Sequence, residues 1–175
     1  MVEVYRKVLP KGPPSAPVER SLAAIQKPEE ALEEAHRLNA ELKPKEAIAM
    51  YRRALELDPS NLVAASELGS TLVDAGHTEE AFRFFDEFLE RHPREAEVRL
   101  AYAGGLLRVG QLERAVAECQ RCLEHRPNWD APYPPMIRAL HRLRRGLEAQ
   151  AALSAFRPLS KDPRTVAMFE AMLRG

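Results

Sequence analysis

The feature that most constrains this chain is a repeat of 34 residues marked by proline and alanine. The prolines are Pro59, Pro93 and Pro127, and the alanines, each 12 residues earlier, are Ala47, Ala81 and Ala115. No insertion breaks the period over these three repeats. Each repeat must therefore be one structural unit of constant size, stacked on its neighbours.

Each repeat contains two apolar stripes with helical spacing. The first stripe is clearest in residues 64–76 and 98–110, and it ends at Gly76 or Gly110. A tight turn between two helices needs a residue that adopts positive φ at this point, and glycine does so without strain. The proline after the second stripe stops that helix from continuing. The pattern predicts pairs of antiparallel helices.

The repeat resembles the tetratricopeptide repeat family, whose unit places small, aromatic and proline residues in this arrangement. In the second repeat the matching residues are Leu68, Gly69, Leu72, Gly76, Ala81, Phe85, Leu89 and Pro93. The first and third repeats depart from the pattern where a leucine-glycine pair is expected, with Glu34-Ala35 and Tyr102-Ala103. The resemblance implies an all-α fold, a right-handed α-solenoid of antiparallel helix pairs.

The 34-residue spacing of the repeats predicts how the chain is organised from end to end. Residues 1–20 contain Pro10, Pro13, Pro14 and Pro17 and predict an extended or disordered N-terminal arm, and residues 21–175 predict the solenoid. The predicted repeats are 28–61, 62–95, 96–129 and a degenerate 130–163, followed by a capping helix over 164–174. Prolines in residues 132–135 predict that the fourth repeat begins late, near Pro135. The capping helix is expected to bury Met168, Phe169, Met172 and Leu173.

Cys119 and Cys122 have C-x-x-C spacing, with His125 close behind. A redox cysteine needs an electropositive helix N-terminus, and a zinc ion needs more ligands than this segment supplies. In register, Cys119 corresponds to Tyr51 and Phe85, which are core positions of the second helix. Buried packing is therefore the favoured interpretation.

Composition narrows the class of protein. Lysine and arginine number 26, as do aspartate and glutamate, so the whole chain carries no net charge that would attract nucleic acid or an anionic membrane. No apolar run is long enough for a signal peptide or a membrane span. The two cysteines do not form a secreted disulfide framework, and we expect a cytoplasmic protein. The usage of arginine, alanine, leucine and proline suggests a GC-rich bacterial genome.

No nucleophile-base pair, phosphate loop or metal-ligand set accompanies the repeats. We therefore expect no enzymatic activity, cofactor or metal. The resemblance implies a protein-protein interaction scaffold that receives a peptide or partner protein in a concave groove lined by the first helices. The alternative is a regulatory or substrate-docking segment of a larger bacterial enzyme or assembly.

One branch of the family, the heat-shock co-chaperones, binds a C-terminal carboxylate through lysine, asparagine and arginine. The corresponding positions here are Leu32, His36, Glu67, Glu97 and Ala101. These residues could not form that carboxylate clamp.

Cations accumulate on the first helices of the third and fourth repeats. This distribution predicts a groove for an acidic or phosphorylated segment. The candidate groove residues are Leu100, Leu107, Arg108, Tyr133, Arg138, His141 and Arg142. The alternative interpretation of residues 141–145 is a solvated helix end, placed favourably against the helix dipole.

Overall fold

The computed structural model describes residues 24–174, so the predicted arm over residues 1–20 lies outside the described residues. Within residues 28–174 the chain forms nine helices, and no strand occurs within residues 24–174. They are α1 Pro28–Ala40, α2 Pro44–Leu57, α3 Leu62–Asp74, α4 Thr78–Arg91, α5 Ala96–Arg108, α6 Leu112–His125, α7 Tyr133–Arg142, α8 Gly146–Phe156 and α9 Pro163–Arg174. The predicted all-α fold is confirmed.

Consecutive helices form four pairs, namely α1 with α2, α3 with α4, α5 with α6 and α7 with α8. The short turn inside each pair makes its two helices antiparallel. Pro59, Pro93 and Pro127 lie in the loops that follow second helices. The first helix of the fourth pair begins at Tyr133, and two prolines occupy its first turn, where their missing N–H groups cost nothing.

The four first helices end with the same backbone geometry. Positive φ occurs at Leu42 (58°), Gly76 (82°), Gly110 (84°) and Arg144 (60°), at intervals of 34 residues. The next residue in each case donates its N–H to a leucine carbonyl five residues earlier, and these acceptors are Leu38, Leu72, Leu106 and Leu140, at 2.8–3.0 Å. This hydrogen bond satisfies a carbonyl that the helix end would otherwise leave unpaired. The repeat therefore persists at the backbone even where glycine is absent.

The chain divides into two compact units, Met1–Arg91 and His92–Gly175. In the first unit, Gly69 of α3 lies against the ring of Phe85 in α4. A Cβ atom at Gly69 would lie 2.1 Å from Cζ of Phe85, so this close approach requires glycine. An ion pair between the buried Arg52 and the half-buried Glu80 joins α2 to α4.

The second unit has its own core and ends in α9. The ring of Phe156 lies 6.0 Å from that of Tyr133 and 6.1 Å from that of Phe169, which is fully buried. Of the four residues predicted to be buried in the capping helix, Met168 is 46% exposed. The buried positions of α9 are Val166 and Phe169, three residues apart, and Met168 lies on the other side of the helix.

Candidate functional site

Three of the predicted site residues form one exposed stripe on α7. The helix buries Met136, Ile137 and Leu140. Arg138, His141 and Arg142 are three and four residues apart, so they project side by side from the opposite face, and all three are exposed. We call these three residues, together with Leu107 of α5, the basic face of the second unit.

Arg142 connects α7 to α5, which are the first helices of the two pairs in this unit. Its Nη1 donates a hydrogen bond of 3.0 Å to the carbonyl oxygen of Leu107, in the last turn of α5. That carbonyl lies at a helix end, where it accepts a backbone hydrogen bond of 3.3 Å from the N–H of Gly110 and keeps a second lone pair for the guanidinium. A guanidinium has five N–H donors, and this bond uses one of them. The remaining donors of the exposed Arg142 can bind an anion.

Arg138 is held against the capping helix. Its guanidinium carbon lies 5.5 Å from the centroid of the Phe169 ring, a cation-π distance. An arginine stacked on a ring keeps its N–H groups at the edge of the guanidinium plane, where they can bind a carboxylate or phosphate. The contact therefore restricts the side chain without removing its binding capacity.

Positive charge is concentrated around the basic face because α7 contains no acidic residue. Within residues 24–174, Arg138, Arg142 and Arg144 form no ion pair. Arg145 does, since its Nε donates to Oε1 of Glu148 at 2.6 Å, and this hydrogen bond lowers the pKa of the Glu148 carboxyl. The cations of α7 and its turn thus exceed the carboxylates that could neutralise them.

The other predicted site residues differ in accessibility. Leu100 and Leu107 are half-buried, and Arg108 is exposed. Tyr133 is only 8% exposed because its ring packs against Phe156, so it contributes to the core. The structure therefore brings Leu107 and Arg142 into contact and leaves little of Tyr133 for a partner.

Cys119 and Cys122 are fully buried free thiols in the second unit. Burial raises the pKa of the Cys119 thiol and raises the pKa of Cys122 to about 12, so both remain protonated at neutral pH. Sγ of Cys122 lies 3.4 Å from the carbonyl oxygen of Ala96 and donates a weak hydrogen bond to it. The two thiols therefore have the environment of packing residues rather than of nucleophiles.

The described part of the chain contains neither a metal-ligand cluster nor a membrane-spanning helix. No group of three or more histidine, cysteine, aspartate or glutamate side chains is arranged there to hold a metal ion. None of the helices in that part has the length and apolar character needed to span a bilayer.

A groove on the side of the second helices was not anticipated from the sequence. It has a volume of about 500 Å³ and lies between α6 and α8, with α7 at its floor. Its lining residues are Gln120, Leu123, Glu124, Met136, Leu140, Glu148, Ala151 and Ala152. The sequence does indicate that the surface of α8 is unusual. This helix contains one charged residue, whereas α2, α4 and α6 contain five, seven and five charged residues. We call this groove between α6 and α8 the second-helix groove.

Solved structures share this fold. The pilF protein of Pseudomonas aeruginosa matches 90% of this chain and 72% of its own, with a TM-score of 0.68 and 19% identity. A thermophilic tetratricopeptide repeat protein from Thermus thermophilus matches 82% of this chain and 81% of its own, with a TM-score of 0.67 and 17% identity. MamA from AMB-1 matches 90% of each chain, with a TM-score of 0.63 and 19% identity.

A tetratricopeptide repeat family model matches residues 38–103 and 72–140, which together make up more than half of the chain. The helix pairs, the 34-residue interval between their turns and the glycine beneath Phe85 agree with that match. A fold of this kind suggests a scaffold for protein-protein interaction. The chain belongs to the tetratricopeptide repeat family.

Proposed function

We propose that the protein is a non-enzymatic interaction scaffold whose basic face binds an acidic or phosphorylated segment of a partner protein. The observation that carries this proposal is the stripe of Arg138, His141 and Arg142 on a helix without a carboxylate. Charge-assisted hydrogen bonds from arginine to carboxylate or phosphate are about twice as strong as neutral ones. Such a partner would supply the anions that α7 itself lacks.

The contacts of the two arginines support a prepared binding surface. Arg142 is held by the Leu107 carbonyl and Arg138 by the Phe169 ring, so binding costs less side-chain entropy than it would for two freely rotating side chains. The half-buried Leu107 offers an apolar contact beside the cations. A segment that alternates acidic and apolar residues fits this chemistry.

We also propose a cytoplasmic location for the protein. Two buried thiols that remain unpaired agree with a reducing compartment, where disulfides are rare.

The test measures fluorescence anisotropy of a short labelled peptide of glutamate, aspartate and leucine, and of the same peptide with phosphoserine. Arg138→Glu and Arg142→Glu should each weaken binding about tenfold, the equivalent of one charge-assisted hydrogen bond. Affinity should also fall as salt concentration rises, because exposed charges are screened.

Arg83→Glu is the matched control, since Arg83 is an exposed arginine on α4 of the first unit. It introduces the same change of charge at a site remote in sequence from α7, and should leave peptide affinity unchanged. Binding that all three substitutions weaken equally would show a response to net charge alone, and binding that none weakens would place the site elsewhere.

A further inference from the structure

The helix α8 differs from the second helices of the other three pairs on its outer surface. In the 34-residue register, Leu147 corresponds to Lys45, Glu79 and Glu113. Ala155 corresponds to Arg53, Glu87 and Arg121. Leu147 is 90% exposed, and Ala151 and Ala155 are also exposed. One side of α8 is thus apolar at positions 147 and 155, where each of its counterparts is charged, while at position 151 Ala49 and Ala117 are alanine as well.

The second-helix groove has a specific structural cause. Ala152 corresponds in register to Met50, Phe84 and Glu118. Met50 is fully buried, and Glu118 is buried in an ion pair of 2.6 Å with Arg99, so larger side chains occupy this position in other pairs. The methyl group of Ala152 leaves that volume empty, and the apolar side chains of Met136 and Leu140 form the floor.

The apolar side of α8 is not covered by the capping helix. α9 packs against α8 through Phe169, which contacts Phe156. Leu147 and Ala151 are four residues apart and project from another side of α8, and Ala151 lines the groove. Exposed apolar side chains beside a cleft of about 500 Å³ are typical of an interaction site.

The rim of the groove carries negative charge. Glu124 of α6 and Glu148 of α8 are the two charged residues that line it. Both are exposed. Glu148 is paired with Arg145 at 2.5 Å, whereas Glu124 forms no ion pair within residues 24–174. An occupant with apolar side chains flanked by lysine or arginine complements this arrangement, because one of its cations would meet the Glu124 carboxylate, which no cation within residues 24–174 neutralises.

We propose that the second-helix groove binds an amphipathic helix of a partner protein, with an apolar stripe flanked by basic residues. Two neighbouring helices and a helical floor form a channel into which a third helix can lay its apolar face. The small side chains of Ala151 and Ala152 allow the backbone of that helix to approach closely. The site and its ligand differ from those of the basic face, so the two proposals stand independently.

The experiment selects binders to the full chain from a random peptide display library. We expect one class of peptides with apolar residues at helical spacing and flanking lysine or arginine. Ala151→Glu should weaken their binding at least about tenfold, since it places a charge and a larger side chain in the apolar channel. Glu124→Lys, which leaves α8 intact, should weaken the same peptides by reversing the rim charge.

Two matched controls separate this site from general effects. Ala171→Glu adds the same side chain at an exposed alanine of α9 and should leave binding of these peptides unchanged. Arg142→Glu, which disrupts the basic face, should also leave it unchanged. Circular dichroism of each variant confirms that the helices remain folded.

Three outcomes would overturn the proposal. One is a selection that yields no apolar-basic peptides, and another is binding of such peptides that neither Ala151→Glu nor Glu124→Lys weakens. The third is light scattering that shows a dimer of the full chain which Ala151→Glu converts to a monomer. That result would make a second copy of the chain the occupant of the groove.

Discussion

The second and fourth helix pairs fill the space between their two helices with different residues. At equivalent register positions, α3 and α4 carry Gly69 and Phe85, whereas α7 and α8 carry Ile137 and Leu153. All four residues are buried. One pair combines no side chain with a large ring, and the other combines two aliphatic side chains of middle size. These two pairs therefore reach a similar total side-chain volume between their helices with different residues at each position.

The same two pairs differ at their turns and on their outer surfaces. Gly76 takes positive φ in one pair and Arg144 in the other, at nearly the same backbone geometry. The second helix of the earlier pair carries seven charged residues and that of the later pair carries one. The backbone geometry of the turn is thus preserved, whereas the second helix of the fourth pair has far fewer charged residues on its surface.

The largest expected effect comes from emptying the core of the fourth pair. Ile137→Ala should lower the free energy of unfolding by about 2 to 5 kcal/mol, because a fully buried side chain leaves a cavity. Leu147→Ala is the matched control, since Leu147 is an aliphatic residue of the same pair and is 90% exposed. Urea denaturation followed by circular dichroism measures both. Equal effects would show that the fourth pair has no packed core.

Overfilling the second pair should have the next largest effect. Gly69→Ala places a methyl group 2.1–2.6 Å from ring atoms of Phe85 and should cost about 1 to 3 kcal/mol of stability. Adding Phe85→Leu should recover part of this loss, because the fourth pair already uses leucine at that position. A double variant no more stable than Gly69→Ala would contradict the exchange of volume between the two positions.

In the third pair, Cys119 holds the position that Phe85 and Leu153 hold in the other two. Because burial raises the folded-state pKa of both thiols above its ordinary value of 9.0, their contribution to stability is complete below about pH 9. It is lost as the pH rises above that value, because the unfolded chain then releases protons that the folded chain retains. Stability should fall by about 1 kcal/mol per thiol near pH 10.

The control for the thiols is the double variant Cys119→Ala, Cys122→Ala, measured by urea denaturation between about pH 7 and pH 10. It should lack this component of the pH dependence. In the unsubstituted protein both thiols should react slowly with a thiol reagent until the chain unfolds. Rapid labelling of either cysteine in the folded protein would contradict burial at this register position.

The smallest expected effects are at the turns. Gly76→Ala should cost about 1 kcal/mol, since a Cβ atom is disfavoured at positive φ even where space is available. Arg144→Gly relieves the same strain in the fourth pair and should stabilise it by about 0.5 kcal/mol, after the added freedom of the unfolded chain is subtracted. Gly146→Ala, a nearby glycine outside the positive φ region, should not destabilise the protein. Thermal unfolding distinguishes the three variants.

Much of the fold could be predicted from the sequence because the responsible interactions recur at a fixed spacing. Leu68, Gly76 and Phe85 each act within one helix pair, and their pattern indicates helix, turn and core without knowledge of any other pair. The positive φ of Leu42 and Arg144 could not be predicted from residue type. It follows from the period alone, because the turn geometry is imposed by the two helices that it joins.

The candidate site was only partly accessible to such reasoning. Helical spacing alone placed Arg138, His141 and Arg142 on one exposed stripe. It did not indicate that Tyr133 belongs to the core, since its burial depends on Phe156, which lies in the following helix. Nor did helical spacing reveal the second-helix groove. The groove lies where Ala152 has a smaller side chain than its counterparts in the other pairs, and no sequence motif marks it.

The sequence by itself determined the period, the helices, the turns and the apolar side of the repeated helices, because these depend on residues within one repeat. Only the tertiary structure decided what individual side chains contact. Arg142 bonds the carbonyl of Leu107, 35 residues earlier, and Arg138 stacks on Phe169 in another helix. A long side chain has many rotamers of similar energy, and the neighbours that the fold brings beside it select among them.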